Sequence, residues 1–190
     1  DWLPWNHTFG GNHNVGITLY NGGTLYIDEG KPTPAGIAET LRNLREISPT
    51  MYFNVPKGFE EIAFAMESDE ALRKSLFSRV QVFMFAGAGL SQAVWDRLDR
   101  LAEATVGERI PVFSGLGMTE TAPAGTNIPT YGPNRYGTIG LPLPQIYMDI
   151  VALDDPRRVL PVGEVGEIRI KGPNVIAAYH NRPDDNAKGF

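Results

Sequence analysis

The chain has 190 residues, 42% of them hydrophobic, enough for one substantial core and room for a small second subdomain. Its net charge of −5 comes without a basic block, which argues against a nucleic-acid partner, and the absence of cysteine excludes disulfides and thiolate metal sites. No apolar run reaches the roughly 18 to 20 residues of a membrane helix and no signal peptide is visible, so a cytoplasmic protein without membrane insertion is expected.

In chain order, Thr24 to Ile27 predicts a short apolar strand. Thr33-Pro34 then supplies an N-cap and a first-turn proline for a helix with Ile37, Leu41 and Leu44 on one face. Met51 to Val55 reads as a strand. Two short amphipathic stretches follow, one carrying Phe59, Ile62 and Met66, the other Leu72, Leu76 and Phe77; Val80 to Phe85 is then a nearly continuous apolar strand. Ser91 caps the next helix, where Val94, Leu98, Leu101 and Ala102 keep the helical period and Gly107 lies just past the end. Ile110, Val112 and Phe113 form another short buried strand. Strands separated by helices imply right-handed βαβ crossovers, so the expected fold class is α/β, a parallel sheet flanked by helices. After about Thr126 the pattern changes. Prolines and glycines crowd Pro129 to Pro144, and the β-like runs Ile146 to Leu153 and Glu167 to Lys171 follow, with turns at Asp154-Asp155-Pro156 and Pro161-Val162-Gly163 and no helical period. The expected organisation is a partial α/β subdomain over residues 1–135 and part of a small antiparallel β subdomain over 136–190, with the boundary near Asn134 to Gly140.

The most informative segment is S-G-L-G-M-T-E-T-A-P-A-G, Ser114 to Gly125, which sets glycines, a hydroxyl and a carboxylate directly after an apolar strand. Open α/β sheets bind ligands at the carboxyl ends of their strands. Thr119 can donate to a phosphate oxygen, and Glu120 can hold a hard divalent cation that neutralises phosphate charge. The plain alternative is a glycine-rich loop with a threonine cap. Ala86-Gly87-Ala88-Gly89 also follows a buried strand. It resembles the start of a dinucleotide fingerprint, but Gln92 stands where the third glycine belongs, and a tight strand-to-helix turn explains it as well. His7 and His13 flank a glycine-rich stretch with no third histidine or helical H-E-x-x-H spacing nearby, which makes a zinc site a poor reading; His13 reads as a polar loop residue. Glu164 and Glu167 fall on opposite faces of an extended segment and cannot share a proton, and Arg157, Arg158 and Arg182 read as solvated surface charges.

Four segments in order resemble the adenylate-forming enzymes, the superfamily of acyl-CoA synthetases, luciferases and peptide-synthetase adenylation domains. G-M-T-E-T resembles its "YG-x-TE" motif, L-P-W-N-H-T-F-G-G (Leu3 to Gly11) its "LP-x-x-H-x-x-G" segment, and A-G-A-G-L (Ala86 to Leu90) its "GGAPL" adenine loop. G-E-V-G-E-I-R-I-K-G-P-N-V-I-A-A-Y-H-N-R-P (Gly163 to Pro183) is similar to its "GE-x-GE" signature, which runs on through "GY-x-x-x-P". The wording of the first and third of these segments is most similar to feruloyl-CoA synthetase-like aryl-CoA ligases.

The resemblance implies an enzyme that uses ATP and Mg2+ to adenylate a small carboxylic acid, releases AMP and passes the acyl group to CoA. It implies that Thr119 binds phosphate, that Glu120 holds magnesium, and that His7 stands at the mouth of the acyl pocket, completing the catalytic set. Gly87, Ala88, Gly89, Leu116, Gly117, Met118 and Thr119 would bind the nucleotide, with Phe85, Gly87, Gly115 and Gly117 walling a flat acyl slot. Two departures stand out. Leu116 occupies the place of the aromatic that stacks on adenine, and the family's Gly-Tyr is Ala178-Tyr179 here. The family's phosphate loop with its lysine, its ribose-binding "TGD" aspartate and its mobile C-terminal domain are expected outside this stretch, so the chain reads as a middle fragment without catalysis of its own. A luciferase-like or peptide-synthetase adenylating enzyme and a non-catalytic nucleotide-binding module are the alternatives.

Overall fold

Three parallel strands, β1 (Met51–Asn54), β2 (Val82–Phe85) and β3 (Val112–Phe113), form the central sheet in the order β1-β2-β3 in a computed structural model that describes residues 1–128 and 137–189. Helices α3 (Pro56–Met66) and α4 (Glu70–Phe77) cross from β1 to β2, and α5 (Gln92–Val106) crosses from β2 to β3. Because consecutive strands are neighbours and such crossovers share one hand, these helices fall on one face of the sheet. There they pack on one another and on α2 (Ile37–Glu46).

That face is the core. Side chains alternate along a strand, so Tyr52 and Phe83 point into the helix layer, where Phe59 of α3 meets Tyr52 at 5.8 Å and Phe83 at 5.5 Å between ring centroids. Phe85 sets its ring against Trp95 of α5 at 5.8 Å. Phe53 points the other way and meets the ring of His13 at 5.2 Å. His13 belongs to a π-helical turn, Phe9–Val15, that runs into α1 (Gly16–Tyr20) and that the sequence pattern did not announce.

Apart from Thr24 to Ile27, the expected helices and strands appear with small shifts. Ser91 caps α5 by accepting from the Val94 N–H at 3.4 Å, and Val94, Leu98, Leu101 and Ala102 are buried. Thr33 opens a turn rather than the helix itself: its hydroxyl accepts from the Gly36 N–H at 3.1 Å, and α2 begins at Ile37.

Thr24 to Ile27 does not join the sheet. The Tyr26 carbonyl accepts from the amino group of Asp1 at 2.6 Å and the Asp28 N–H donates to the Asp1 carbonyl at 2.9 Å, so part of this segment's backbone is committed to the first residue. A cleft of about 620 Å³, lined by Tyr26, Ile27, Tyr52 and Phe53 among others, lies between it and β1.

Beyond Thr126 two small antiparallel sheets form: β4 (Thr126–Asn127) with β5 (Leu141–Pro142), and β6 (Tyr147–Val151) with β7 (Glu167–Lys171). The expected boundary near Asn134 to Gly140 lies partly outside the described residues. A helix does occur in this part, contrary to the reading of its period. This helix, α6 (Pro183–Gly189), buries no residue and so leaves no apolar stripe, and it is instead favoured by proline and two aspartates in its first turn. Among the described residues no helix is long and apolar enough to cross a membrane.

Asp69 caps α4, accepting from the Leu72 N–H at 2.9 Å, and pairs with Arg45 at 2.6 Å. The backbone N–H first, and the guanidinium after it, hold its carboxyl below the ordinary value of 3.8. A depressed folded-state value means that this stabilisation is full above the ordinary value and is lost as pH falls through the lowered one. Asp69→Ala is expected to cost about 1 kcal/mol at pH 7 and progressively less in acid, as read from urea midpoints of both proteins across pH.

Candidate active site

In the parallel pairing of β2 with β3, Phe83 stands opposite Val112 and Met84 opposite Phe113, so the chain leaves both strands at the same edge of the sheet. After β2 come Gly87, Ala88 and Gly89, all exposed, with Gly87 at a φ of 87°, a left-handed value that suits glycine. The loop exposes backbone there without bulky side chains, which is what a flat heterocycle needs for a close approach.

After β3 the chain forms a hairpin. Ile128 N–H donates to the Ser114 carbonyl at 2.7 Å, Gly125 N–H to the Leu116 carbonyl at 2.8 Å, and Leu116 N–H to the Thr126 hydroxyl at 2.8 Å. A Cβ on Gly115 would lie 2.0 Å from the Thr126 carbonyl oxygen, and one on Gly117 2.1 Å from that of Pro123. These two glycines are therefore required by the returning backbone whether or not a ligand is present.

The hairpin's tip is a single 3-10 turn, Thr119–Thr121, and it sets its two threonines apart. Thr121 is buried; its hydroxyl accepts from the Met118 N–H at 3.1 Å and donates to the Pro123 carbonyl at 3.0 Å. Thr119 is exposed and its hydroxyl is open to a ligand. Between them, Glu120 points its carboxylate at the far side of the site, where the Tyr179 phenol donates to Oε1. The Ile176 N–H donates to the Glu120 carbonyl at 2.9 Å, and the Asn174 amide donates to the carbonyls of Thr121 at 2.5 Å and Ala124 at 2.7 Å. The segment after β7 thus straps the turn in place. The phenol, and after it Glu120's own backbone N–H, holds the carboxyl of Glu120 below the usual carboxylate range, while the same contact pushes the Tyr179 phenol up. At neutral pH Glu120 is an anion.

That anion fits a magnesium ion by donor chemistry. Magnesium is commonly held by one or two carboxylates together with waters and substrate phosphates. No cluster of three or more His, Asp or Glu suited to a metal occurs among the described residues, so a metal here would lean on Glu120 and on ligand oxygens. Leu116 is half-buried and Met118 exposed in the stretch that follows β3. His7 is exposed in the N-terminal segment, where its Nδ1 accepts from the Phe9 N–H at 3.1 Å; it is His13 that touches the sheet. Asn174, Ile176 and Tyr179 lie within the Gly163 to Pro183 signature, but their hold on the turn escaped sequence reasoning because they are more than 50 positions from it.

A model of the family described as "AMP-binding enzyme" matches residues 2–180. The chain belongs to the AMP-binding enzyme family. Among curated relatives of this AMP-binding chain, a long-chain-fatty-acid–CoA ligase of Haemophilus influenzae is 27% identical over 96% of the chain and 30% of the ligase. An oxalate–CoA ligase of Saccharomyces cerevisiae is 33% identical over 60% of the chain and 20% of the ligase. The crystal structure of a long-chain-fatty-acid–CoA ligase from Archaeoglobus fulgidus superposes with a TM-score of 0.76 at 25% identity, covering 97% of the chain and 36% of that structure. The AMP-binding chain thus spans about a third or less of these relatives.

The strap yields a test of its own. Asn174→Ala removes two donors to buried carbonyls and should lower stability by about 1–3 kcal/mol. Asn174→Asp should be worse than alanine at pH 7, since a carboxylate cannot donate and would face two carbonyl oxygens. Urea unfolding of the three proteins checks the order.

Proposed function

We propose that the chain is the middle part of an ATP-dependent carboxylic acid:CoA ligase of the cytoplasm. The observation that carries this reading is the emergence of the adenine-loop residues and the Thr119–Glu120 turn from neighbouring strands at one sheet edge, in a chain of the AMP-binding enzyme family. The fold division into an α/β part over 1–135 and a β-rich part over 136–190 belongs to the same proposal.

In the first step a carboxylate oxygen of the acid attacks the α-phosphorus of ATP. The bond from that phosphorus to the bridging oxygen of pyrophosphate breaks, and an acyl-adenylate forms. In the second, the sulfur of CoA attacks the acyl carbon, AMP departs and a thioester is left. Glu120 would hold a magnesium ion together with the phosphates, and the ion would supply charge neutralisation there. Thr119 donates its hydroxyl to a phosphate oxygen, a contact to a charged acceptor that holds the nucleotide in line for attack. Gly87, Ala88, Gly89 and Leu116 border the adenine, and Gly117 and Met118 complete that wall. With leucine where an aromatic would stack, the ring is held by apolar contact and backbone. His7 gates the carboxylate end of the acid.

A feruloyl-like aromatic acid is the proposed substrate, supported by the motif wording and by the small residue at Gly87. A fatty acid is the second reading, favoured by the long-chain ligases among the relatives.

Three outcomes follow. The 190-residue chain should bind AMP in the millimolar range, about 4 kcal/mol, and give no ATP–pyrophosphate exchange; micromolar NAD binding by calorimetry without a response to AMP would overturn the reading. In the complete protein, Glu120→Gln should lower adenylation by orders of magnitude and spare AMP binding, and a normal rate with unchanged magnesium dependence would remove Glu120 from the site. Thr119→Ala should cost roughly tenfold to a hundredfold in rate, the worth of one hydrogen bond to a charged group.

A further inference from the structure

We propose that Tyr179 is a positioning residue of the adenylation site: its phenol, donating to Oε1 of Glu120, fixes that carboxylate so that the second oxygen is the one presented to the cation. The inference rests on the reading of Glu120 as the magnesium ligand. Tyr179 is itself held on both sides of its backbone by one side chain of α6: its N–H donates to Asn186 Oδ1 at 2.7 Å, and its carbonyl accepts from Asn186 Nδ2 at 3.0 Å. Three residues earlier, the Ile176 N–H holds the carbonyl of the same Glu120 at 2.9 Å. Backbone and side chain of the glutamate are therefore gripped by one short segment.

The chemistry of the donor matters. A glutamate at a half-buried turn has rotatable bonds that must be frozen when it ligates a cation, and a prior hydrogen bond removes much of that freedom in advance. A lysine or arginine in this place would orient the carboxylate but also neutralise it. A phenol donates one proton and carries no charge, so the carboxylate keeps its full charge for the metal. With one oxygen accepting from the phenol, the other would be the one left for a cation.

The test uses the complete protein with three variants: Tyr179→Phe, Glu120→Gln, and 3-fluorotyrosine in place of Tyr179. Two quantities are read against magnesium concentration. One is ATP–pyrophosphate exchange. The other needs no turnover: the carboxyl-carbon NMR signal of Glu120, identified by its loss in Glu120→Gln, in the presence of the α,β-methylene analogue of ATP, which cannot release pyrophosphate. Tyr179→Phe should need about tenfold more magnesium in both readouts, while the rate at saturating magnesium stays within about twofold of wild type, as loss of one hydrogen bond to a charged group predicts. The fluorinated residue, a stronger donor of nearly the same shape, should need less magnesium than wild type and keeps the idea testable if Tyr179→Phe does not fold. If wild type responds to magnesium and Glu120→Gln does not, but neither Tyr179 variant shifts the dependence, the positioning role is overturned and the ligase reading stands. A wild-type protein without exchange and without a magnesium response at Glu120 overturns both.

Discussion

The parallel pairing of β2 with β3 is the constraint on which the rest depends. It is short, but it is held from the helix side by Phe83 against Phe59 of α3 and by Phe85 against Trp95 of α5, with Val112 buried in the same core. Because both strands run the same way, everything that follows each of them is delivered to one edge: a glycine loop from β2 and a polar hairpin tip from β3. An antiparallel arrangement of the same strands would send the two loops to opposite ends of the sheet. Packing on one face of the sheet thereby decides which polar groups meet at its edge.

The second layer of control comes from the antiparallel ribbon. Met148 and Ile170 stand opposite each other in the β6–β7 register, and both reach the hairpin at Gly125, where a Cβ would come within 3.5 Å of Ile170 Cδ1 and 3.9 Å of Met148 Cε. The glycine lets this ribbon lie close against the hairpin, and the strap that leaves β7 then crosses the Thr119–Thr121 turn. Thr126 ties the hairpin to the chain before β5 as well: its hydroxyl accepts from the Leu116 N–H and donates to the Ile139 carbonyl.

Much of this was legible in the sequence wherever a local rule decides the outcome. The cap at Ser91, the buried stripe of α5 and the apolar run of β2 follow from neighbours a few positions away, and local signals are strongest there. The location of Thr119 and Glu120 at a strand's carboxyl end was likewise readable. What was not readable depends on long-range partners. Thr24 to Ile27 has a strand's composition, yet strand formation needs an edge to pair with, and this backbone pairs in part with Asp1. The helix α6 has no buried side and so no period. In G-M-T-E-T the motif singles out Thr119, but the structural part of Thr121, buried by the 3-10 turn, had no local signal.

Stability is spread unevenly across these parts, and the site sits where the two regimes meet. The helix layer carries fully buried Phe59, Ile62, Met66, Leu72 and Leu98, whereas the ribbon and its turns expose Leu153, Val162 and Val165. Opening a segment that buries little costs little, so the strap's segment should open more readily than the strand that supports the hairpin. Glu120 is attached to both: its backbone continues from β3, and its carboxylate ends on Tyr179, which α6 holds. A ligand that engages Glu120 would be felt first by the labile partner, because the hairpin's glycine-dependent backbone contacts leave it little room to move. The rigid element would then set where the carboxylate stands, and the strap would set how long it stays there.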